Sequence, residues 1–154
     1  MEFNPHKVLT NNVDMLEDIG LFLSPRPKTS APDFPEDISS LAPLEISNLM
    51  IIYTAWYAYS SSTEAYANAE VGLLKNQMDY LAAHSYLTSG LKTIEDRKIA
   101  KYNEEKYVIL SQQYQEAVAR YELLKNLTSS YDKFLWSLSR ILTTLAVEDT
   151  KGKY

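Results

Sequence analysis

Apolar residues in the second half of the chain recur at alternating steps of three and four residues for more than six heptads. In chain order they are Ala100, Asn103, Tyr107, Leu110, Tyr114, Ala117, Tyr121, Leu124, Thr128, Tyr131, Leu135, Leu138, Leu142 and Leu145. Only Asn103 and Thr128 are polar. This 3.5-residue period predicts a coiled-coil helix from about Ile94 to about Ala146. The residues predicted to form the core or oligomer seam are Tyr107, Leu110, Tyr114, Tyr121, Leu124, Tyr131, Leu135, Leu138 and Leu142.

The preceding stretch predicts another long helix, from about Leu44 to about Leu87, because it contains no proline after Pro43. Its heptad positions are Ile46, Leu49, Tyr53, Trp56, Ser60, Thr63 and Ala67. The phase then slips, and the pattern continues at Val71, Leu74, Met78 and Leu81. A slip of this kind predicts a stutter in the coiled coil.

A short turn separates the two predicted helices. Gly90 is placed to end the first helix. Thr93, with Asp96 three residues later, resembles a capping box that starts the second. Two long helices joined by a short turn predict an all-α fold, a long antiparallel helical hairpin spanning residues 41–154.

The N-terminal residues differ in composition from the hairpin. All six prolines lie at or before Pro43, and four of them fall between Ser24 and Pro35. Proline fixes φ and removes a hydrogen-bond donor, so residues 1–40 are predicted to form a flexible, proline-rich, acidic arm. Within it, Asn11 to Leu23 has helical spacing, which fits either a short docking helix or a frayed terminus.

Charge and cysteine content narrow the function classes. Residues 1–46 carry 8 acidic and 3 basic residues, whereas residues 47–154 carry 12 of each. The absence of cysteine rules out a disulfide framework or a thiolate site. Neither a signal peptide nor a membrane-length apolar run is recognisable. We therefore expect a soluble protein with no membrane partner, located in the cytoplasm, which is the host cytoplasm if a phage encodes the chain.

Several large apolar side chains lie outside the heptad stripes of both predicted helices. They are Ile51, Ile52, Tyr57, Tyr59, Ile109, Val118, Phe134 and Ile141. A layer of two helices cannot bury them all, so the sequence predicts a homo-oligomer.

Catalysis is not expected from this sequence. Its two histidines, His6 and His84, are far apart in the sequence, and a lone histidine rarely makes a site. The four glycines are isolated, so a phosphate-binding loop is not indicated. We predict a protein that is not an enzyme and needs no cofactor or metal.

Basic and aromatic residues alternate near the predicted turn, a combination that suits single-stranded nucleic acid. The candidate DNA-binding residues are Lys75, Tyr80, Lys92, Arg97, Lys98 and Lys101. Glu95, Asp96, Glu104 and Glu105 occupy the same region. A solvated face of mixed charge is therefore the alternative interpretation.

Short motifs in the hairpin resemble a class of small helical phage proteins, the UvsY-like recombination mediators. The matching stretches are Leu41-Ala42-Pro43-Leu44-Glu45, Thr93-Ile94-Glu95-Asp96-Arg97-Lys98, and Ser139-Arg140-Ile141-Leu142-Thr143. Leu74-Lys75-Asn76-Gln77-Met78-Asp79-Tyr80 resembles the family's DNA-binding run, with Gln77 where the family has a second basic residue.

The resemblance implies a ring-forming accessory protein of recombination and replication that binds single-stranded DNA. It would help load a recombinase onto DNA coated by single-strand binding protein. The alternative is a structural or assembly protein, such as a scaffold, adaptor or virion component, built on the same coiled coil and with no nucleic-acid role.

Overall fold

In a computed structural model, the long helices pack against each other as a hairpin, which confirms the predicted all-α fold. The structure describes residues 5–18, 23–88, 90, 93–96 and 105–151. Its elements are α1 (Pro5–Asp18), a 3-10 helix (Ile38–Ser40), α2 (Pro43–Thr88) and α3 (Glu105–Lys151). None of the described residues belongs to a strand.

The ends of α2 follow from local chemistry. The Glu45 carboxylate accepts the N–H of Ala42 at 2.8 Å, and the Ala42 carbonyl accepts the N–H of Ile46 at 3.1 Å. Ala42 is thus the cap, Pro43 the first helical residue, and Glu45 satisfies a donor that the helix leaves unpaired. The observed bounds of α2 lie within one residue of the predicted ones at both ends.

The turn after α2 has the geometry that its sequence predicts. Gly90 has a φ of 62°, a left-handed conformation in which glycine carries no steric penalty. The Thr93 hydroxyl accepts the N–H of Asp96 at 3.1 Å and also bonds to the Asp96 carboxylate. These bonds supply the N-cap half of the predicted capping box, with the Asp96 carboxylate bonded to the Thr93 hydroxyl. Ile94–Asp96 is helical, and α3 is described from Glu105 onward.

Burial along α2 corrects the predicted stutter. Its most deeply buried residues keep an unbroken seven-residue step through Ile46, Tyr53, Ser60, Ala67 and Leu74. The heptad phase therefore does not slip after Ala67. The sequence suggests a slip because the next seam position is occupied by the charged residue Glu70, which is itself buried.

The predicted seam of α3 lies on the inner side of that helix. Tyr107, Leu110, Tyr131 and Leu138 are buried. The other five predicted seam residues are half-buried, namely Tyr114, Tyr121, Leu124, Leu135 and Leu142. Ala117 and Thr128, which are also on the heptad, are buried. The Thr128 hydroxyl donates to the Leu124 carbonyl at 3.0 Å, so this buried polar group is satisfied.

The chain divides into two compact units. Unit 1 comprises Met1–Phe22 and Glu64–Leu123, and therefore contains α1, the second part of α2 and the first part of α3. Its core consists of Leu74, Leu110 and Ala117, against which Val71, Met78, Leu81 and Tyr114 pack. The α1 helix contributes a buried Leu9 to unit 1 and begins earlier than the predicted Asn11.

Unit 2 comprises Leu23–Thr63 and Leu124–Tyr154. Its core consists of Ile46, Tyr53, Tyr131 and Leu138. Residues 23–42 add four side chains to this core: Ala31, Phe34, Ile38 and Leu41. We call residues 23–42 the arm from here on, whereas the arm predicted from the sequence spans residues 1–40. Residues 23–37 contain no helix or strand, in keeping with their prolines. Packing of the arm on the helices is not predicted by the sequence pattern.

Candidate nucleic-acid interface

Two of the six predicted DNA-binding residues lie in the described part of the chain. Lys75 and Tyr80 are exposed on α2 in unit 1. The ring of Tyr80 lies nearly parallel to that of His84, with 6.3 Å between centroids and 12° between planes. Lys92, Arg97, Lys98 and Lys101 lie outside the described residues. The predicted basic cluster at the turn is therefore represented only by its α2 portion.

Lys75 and Tyr80 do not share one face of the helix. They are five residues apart, which places their side chains about 140° apart around the axis. Asp79, four residues after Lys75, shares the face of Lys75 and is exposed. A phosphate that approached Lys75 would therefore also meet a carboxylate.

The two units differ in net charge. Counted over their full ranges, unit 1 carries 13 acidic and 8 basic residues, a net of −5, whereas unit 2 carries seven of each. The net negative charge of the chain thus belongs entirely to the unit that holds the predicted DNA-binding residues. Association with a polyanion is disfavoured by that charge, and unit 2 carries no such penalty.

A second group of cations lies on the arm in unit 2. A pocket of about 300 Å³ is lined by residues 26–31, which include Arg26 and Lys28, and by Trp56. Among the described residues, neither Arg26 nor Lys28 forms an ion pair. Composition alone does not single out these two cations, because they belong to an N-terminal region that is acidic as a whole. The stretch from Leu23 to Pro32 nevertheless contains no acidic residue.

Side-chain donors of α2 hold the arm in place. The Trp56 indole N–H donates to the Thr29 carbonyl at 3.1 Å, and the Tyr53 hydroxyl donates to the Pro32 carbonyl at 3.0 Å. At the start of the arm, the Ser24 N–H donates to the Ser62 hydroxyl at 3.3 Å. A proline-rich segment exposes carbonyls that it cannot pair internally, and α2 supplies donors for two of them.

Aromatic side chains form the floor beneath the arm. Phe34 stacks on Phe134 with 4.2 Å between centroids, and Tyr53 lies 5.4 Å from Phe134 and 6.0 Å from Tyr131. Burial raises the pKa of Tyr131, and burial, with the nearby Tyr131 and Asp33, raises the pKa of Tyr53. Both phenols are therefore held in the neutral form.

An ion pair with one buried and one half-exposed partner lies in the seam of unit 1. The Arg120 Nη1 lies 2.8 Å from the Glu70 Oε2; the Glu70 side chain is 5% exposed and that of Arg120 is 52% exposed. The arrangement places a carboxylate where a heptad calls for an apolar residue. Catalytic chemistry is not implied, since the pair is an ordinary charge-assisted contact.

The backs of the helices expose large apolar side chains in unit 2. Leu44 is 72% exposed, Ile51 68% and Trp136 61%. Each lies two residues before a buried core residue, which places it about 200° away, on the opposite side of its helix. The Arg140 guanidinium lies over the Trp136 ring at 4.9 Å. The off-stripe residues Tyr57, Phe134 and Ile141 instead pack into unit 2.

Other kinds of site receive no support from the described residues. They contain no group of three or more histidine, cysteine, aspartate or glutamate side chains placed to hold a metal ion. No described helix is both long and apolar enough to cross a membrane.

The fold and surfaces define an all-α helical-hairpin protein with a docked arm. No family model, curated protein or solved structure matches this chain.

Proposed function

We propose that this chain is a non-catalytic assembly protein that self-associates through the back of α2. The supporting observation is the pair Leu44 and Ile51, which are highly exposed and seven residues apart. Seven residues return to almost the same side of a helix, so the two side chains lie two turns apart on one strip of the α2 surface, with Ser47 and Asn48 between them. The same strip on a second copy is a partner of matching chemistry, because a two-fold contact uses identical surfaces.

Burying such side chains would contribute substantially to association. Each isoleucine or leucine moved from water into an interface contributes about 1.5–3 kcal/mol. In a two-fold contact every substitution acts twice. We therefore expect Ile51→Glu to weaken self-association by more than about tenfold.

Sedimentation velocity over a range of protein concentrations tests this proposal. The native chain should sediment faster than a 17.6 kDa monomer, and Ile51→Glu should shift it towards the monomer. Asn68→Glu is the matched control, since it adds the same charge at an exposed position of α2. A native chain that remains monomeric at every concentration refutes the proposal, as does an equal shift in both variants.

The second candidate function is the one that the resemblance implies. In it, the protein binds single-stranded DNA as a recombination accessory factor and helps load a recombinase, with single-strand binding protein as a further partner. Exposed Lys75 and Tyr80 on α2 support it. The net charge of −5 on unit 1 opposes it, and for that reason it stands second.

Fluorescence anisotropy with a labelled oligothymidine tests DNA binding. Binding should weaken steeply between about 50 and 200 mM salt because counterions are released from the DNA. Replacing Arg97, Lys98 and Lys101 together with glutamate should abolish it if the turn is the contact. The DNA candidate fails if the native chain shows no binding at the lower salt concentration.

A further inference from the structure

The pocket on the arm brings together two cations and an aromatic ring, in a unit that has no net charge. No described surface of unit 1 combines these three features. We propose that the pocket lined by Arg26, Lys28 and Trp56 binds single-stranded nucleic acid, with the cations on the phosphates and a base against the indole. The inference rests on the second candidate function and moves its contact from unit 1 to unit 2.

The backbone around the cations is restricted before any ligand binds. Arg26 lies between Pro25 and Pro27, and Lys28 follows Pro27 directly. Proline fixes φ and also limits the preceding residue, so this stretch has few conformations to lose on binding. Contacts between the arm and α2 add to the restriction, since the Thr29 carbonyl is held by the Trp56 indole N–H at 3.1 Å.

That hydrogen bond also fixes the aromatic ring. Trp56 stacks near Tyr131, with 6.4 Å between centroids and 29° between planes, and meets Tyr59 edge-on at 5.9 Å. The indole is therefore held on several sides while part of it still lines the pocket. A ring held in place loses little freedom when a base packs against it, which is what stacking platforms in single-strand binding proteins require.

Charge and size suit a nucleotide. The pocket lining contains two cations and no carboxylate. Its volume of about 300 Å³ lies at the lower end of the range for small-molecule sites. One base would therefore occupy the pocket with the phosphates on either side of it against Arg26 and Lys28, and the rest of the strand would run outside it.

Anisotropy titrations of a labelled oligothymidine at 50 and 200 mM salt test the pocket. The double variant Arg26→Gln/Lys28→Gln is compared with Lys106→Gln/Lys133→Gln, which removes the same charge from exposed positions of α3. Losing two phosphate contacts should lower the slope of log affinity against log salt by about 1.4. Affinity at 50 mM should fall by about tenfold in the arm variant and by much less in the control.

Tryptophan fluorescence gives a second readout. In Trp136→Phe, Trp56 is the sole tryptophan, because the chain has two. Oligothymidine should quench its emission if a base packs against the indole, and the quenching should follow the same binding curve as the anisotropy.

The outcomes separate the pocket from the candidate function on which it rests. If the native chain does not bind at 50 mM salt, the DNA candidate fails and the pocket fails with it. If the native chain binds and the two double variants bind equally well, the pocket is refuted while DNA binding stands. Binding that is lost in Lys75→Gln but kept in the arm variant assigns the contact to unit 1 and likewise overturns the pocket.

Discussion

The ion pair in the seam of unit 1 yields a quantitative prediction. Glu70 is buried, and its carboxylate lies 2.8 Å from the guanidinium of Arg120, which is half exposed. Replacing Arg120 with alanine removes that guanidinium and leaves the carboxylate in the core. Replacing Glu70 with leucine instead supplies the apolar side chain that the heptad pattern calls for at this position.

The two changes should have different costs. Removing one partner of a fully buried pair costs about 3–5 kcal/mol, whereas an exposed pair contributes about 0–1 kcal/mol. Because one partner here is buried and the other half exposed, we expect Arg120→Ala to cost about 2 kcal/mol, between those limits. Glu70→Leu should be neutral or stabilising, because the freed guanidinium can turn into solvent.

Thermal unfolding followed by circular dichroism measures both effects. A loss of 2 kcal/mol lowers the midpoint of a chain of this size by about 4–8 °C. Lys106→Ala, which removes an exposed cation from the same helix, is the control. In Glu70→Leu, the further change Arg120→Ala should cost almost nothing. Equal midpoints for Arg120→Ala and Lys106→Ala, together with a large loss in Glu70→Leu, would refute the reasoning.

Three further predictions concern unit 2. Phe34→Ala should lower the free energy of unfolding by about 2 kcal/mol, which is less than the loss expected for a fully buried phenylalanine. Leu23→Ala, at an exposed position on the arm, should cost little. Equal effects of the two changes in denaturant titrations would argue against docking of the arm. Burial raises the pKa of Tyr131 above its ordinary value of 10.0, so the neutral phenol stabilises the fold below pH 10 and that stabilisation is lost as the pH rises further. Unfolding at alkaline pH should therefore be weaker in Tyr131→Phe than in the native chain. Identical pH profiles for the two would contradict this prediction. Leu138→Asp should cost at least about 4 kcal/mol and Leu124→Asp less, because only Leu138 is fully buried; denaturation midpoints in the reverse order would count against this packing.

The helices could be predicted because their signals are local. Pro43 and Gly90 bracket α2 in the sequence, and each acts through its own backbone conformation. The seam of α3 follows from a period that needs no knowledge of its partner. Glu70 could not be assigned in the same way, because a buried carboxylate depends on Arg120, fifty residues away.

Docking of the arm could not be predicted because the apolar residues of the arm do not recur at a regular spacing. Phe34 is a single aromatic residue among polar and proline neighbours, and only the fold brings it to 4.2 Å from Phe134. The pocket has the same origin, since Arg26 and Trp56 are thirty positions apart. Division of charge between the units also depends on the fold, because each unit combines segments that are distant in the sequence.

Docking of the arm changes the argument for self-association. The sequence predicts an oligomer because large residues such as Tyr57, Phe134 and Ile141 lie off the heptad stripes. In the structure these three pack into the core of unit 2, to which the arm contributes Phe34. Part of the burial that the sequence assigns to a second copy is therefore provided within one chain.

Removing the arm should consequently expose that apolar surface. A chain lacking residues 1–40 would uncover part of the aromatic cluster around Tyr53 and Phe134, and we expect it to bind a hydrophobic dye and to associate more strongly than the native chain. A chain lacking only residues 1–22, and with them α1, is the control that keeps the arm. If the longer deletion neither binds the dye nor changes its sedimentation relative to the control, the arm does not cover the core, and a second copy is again needed to bury these side chains.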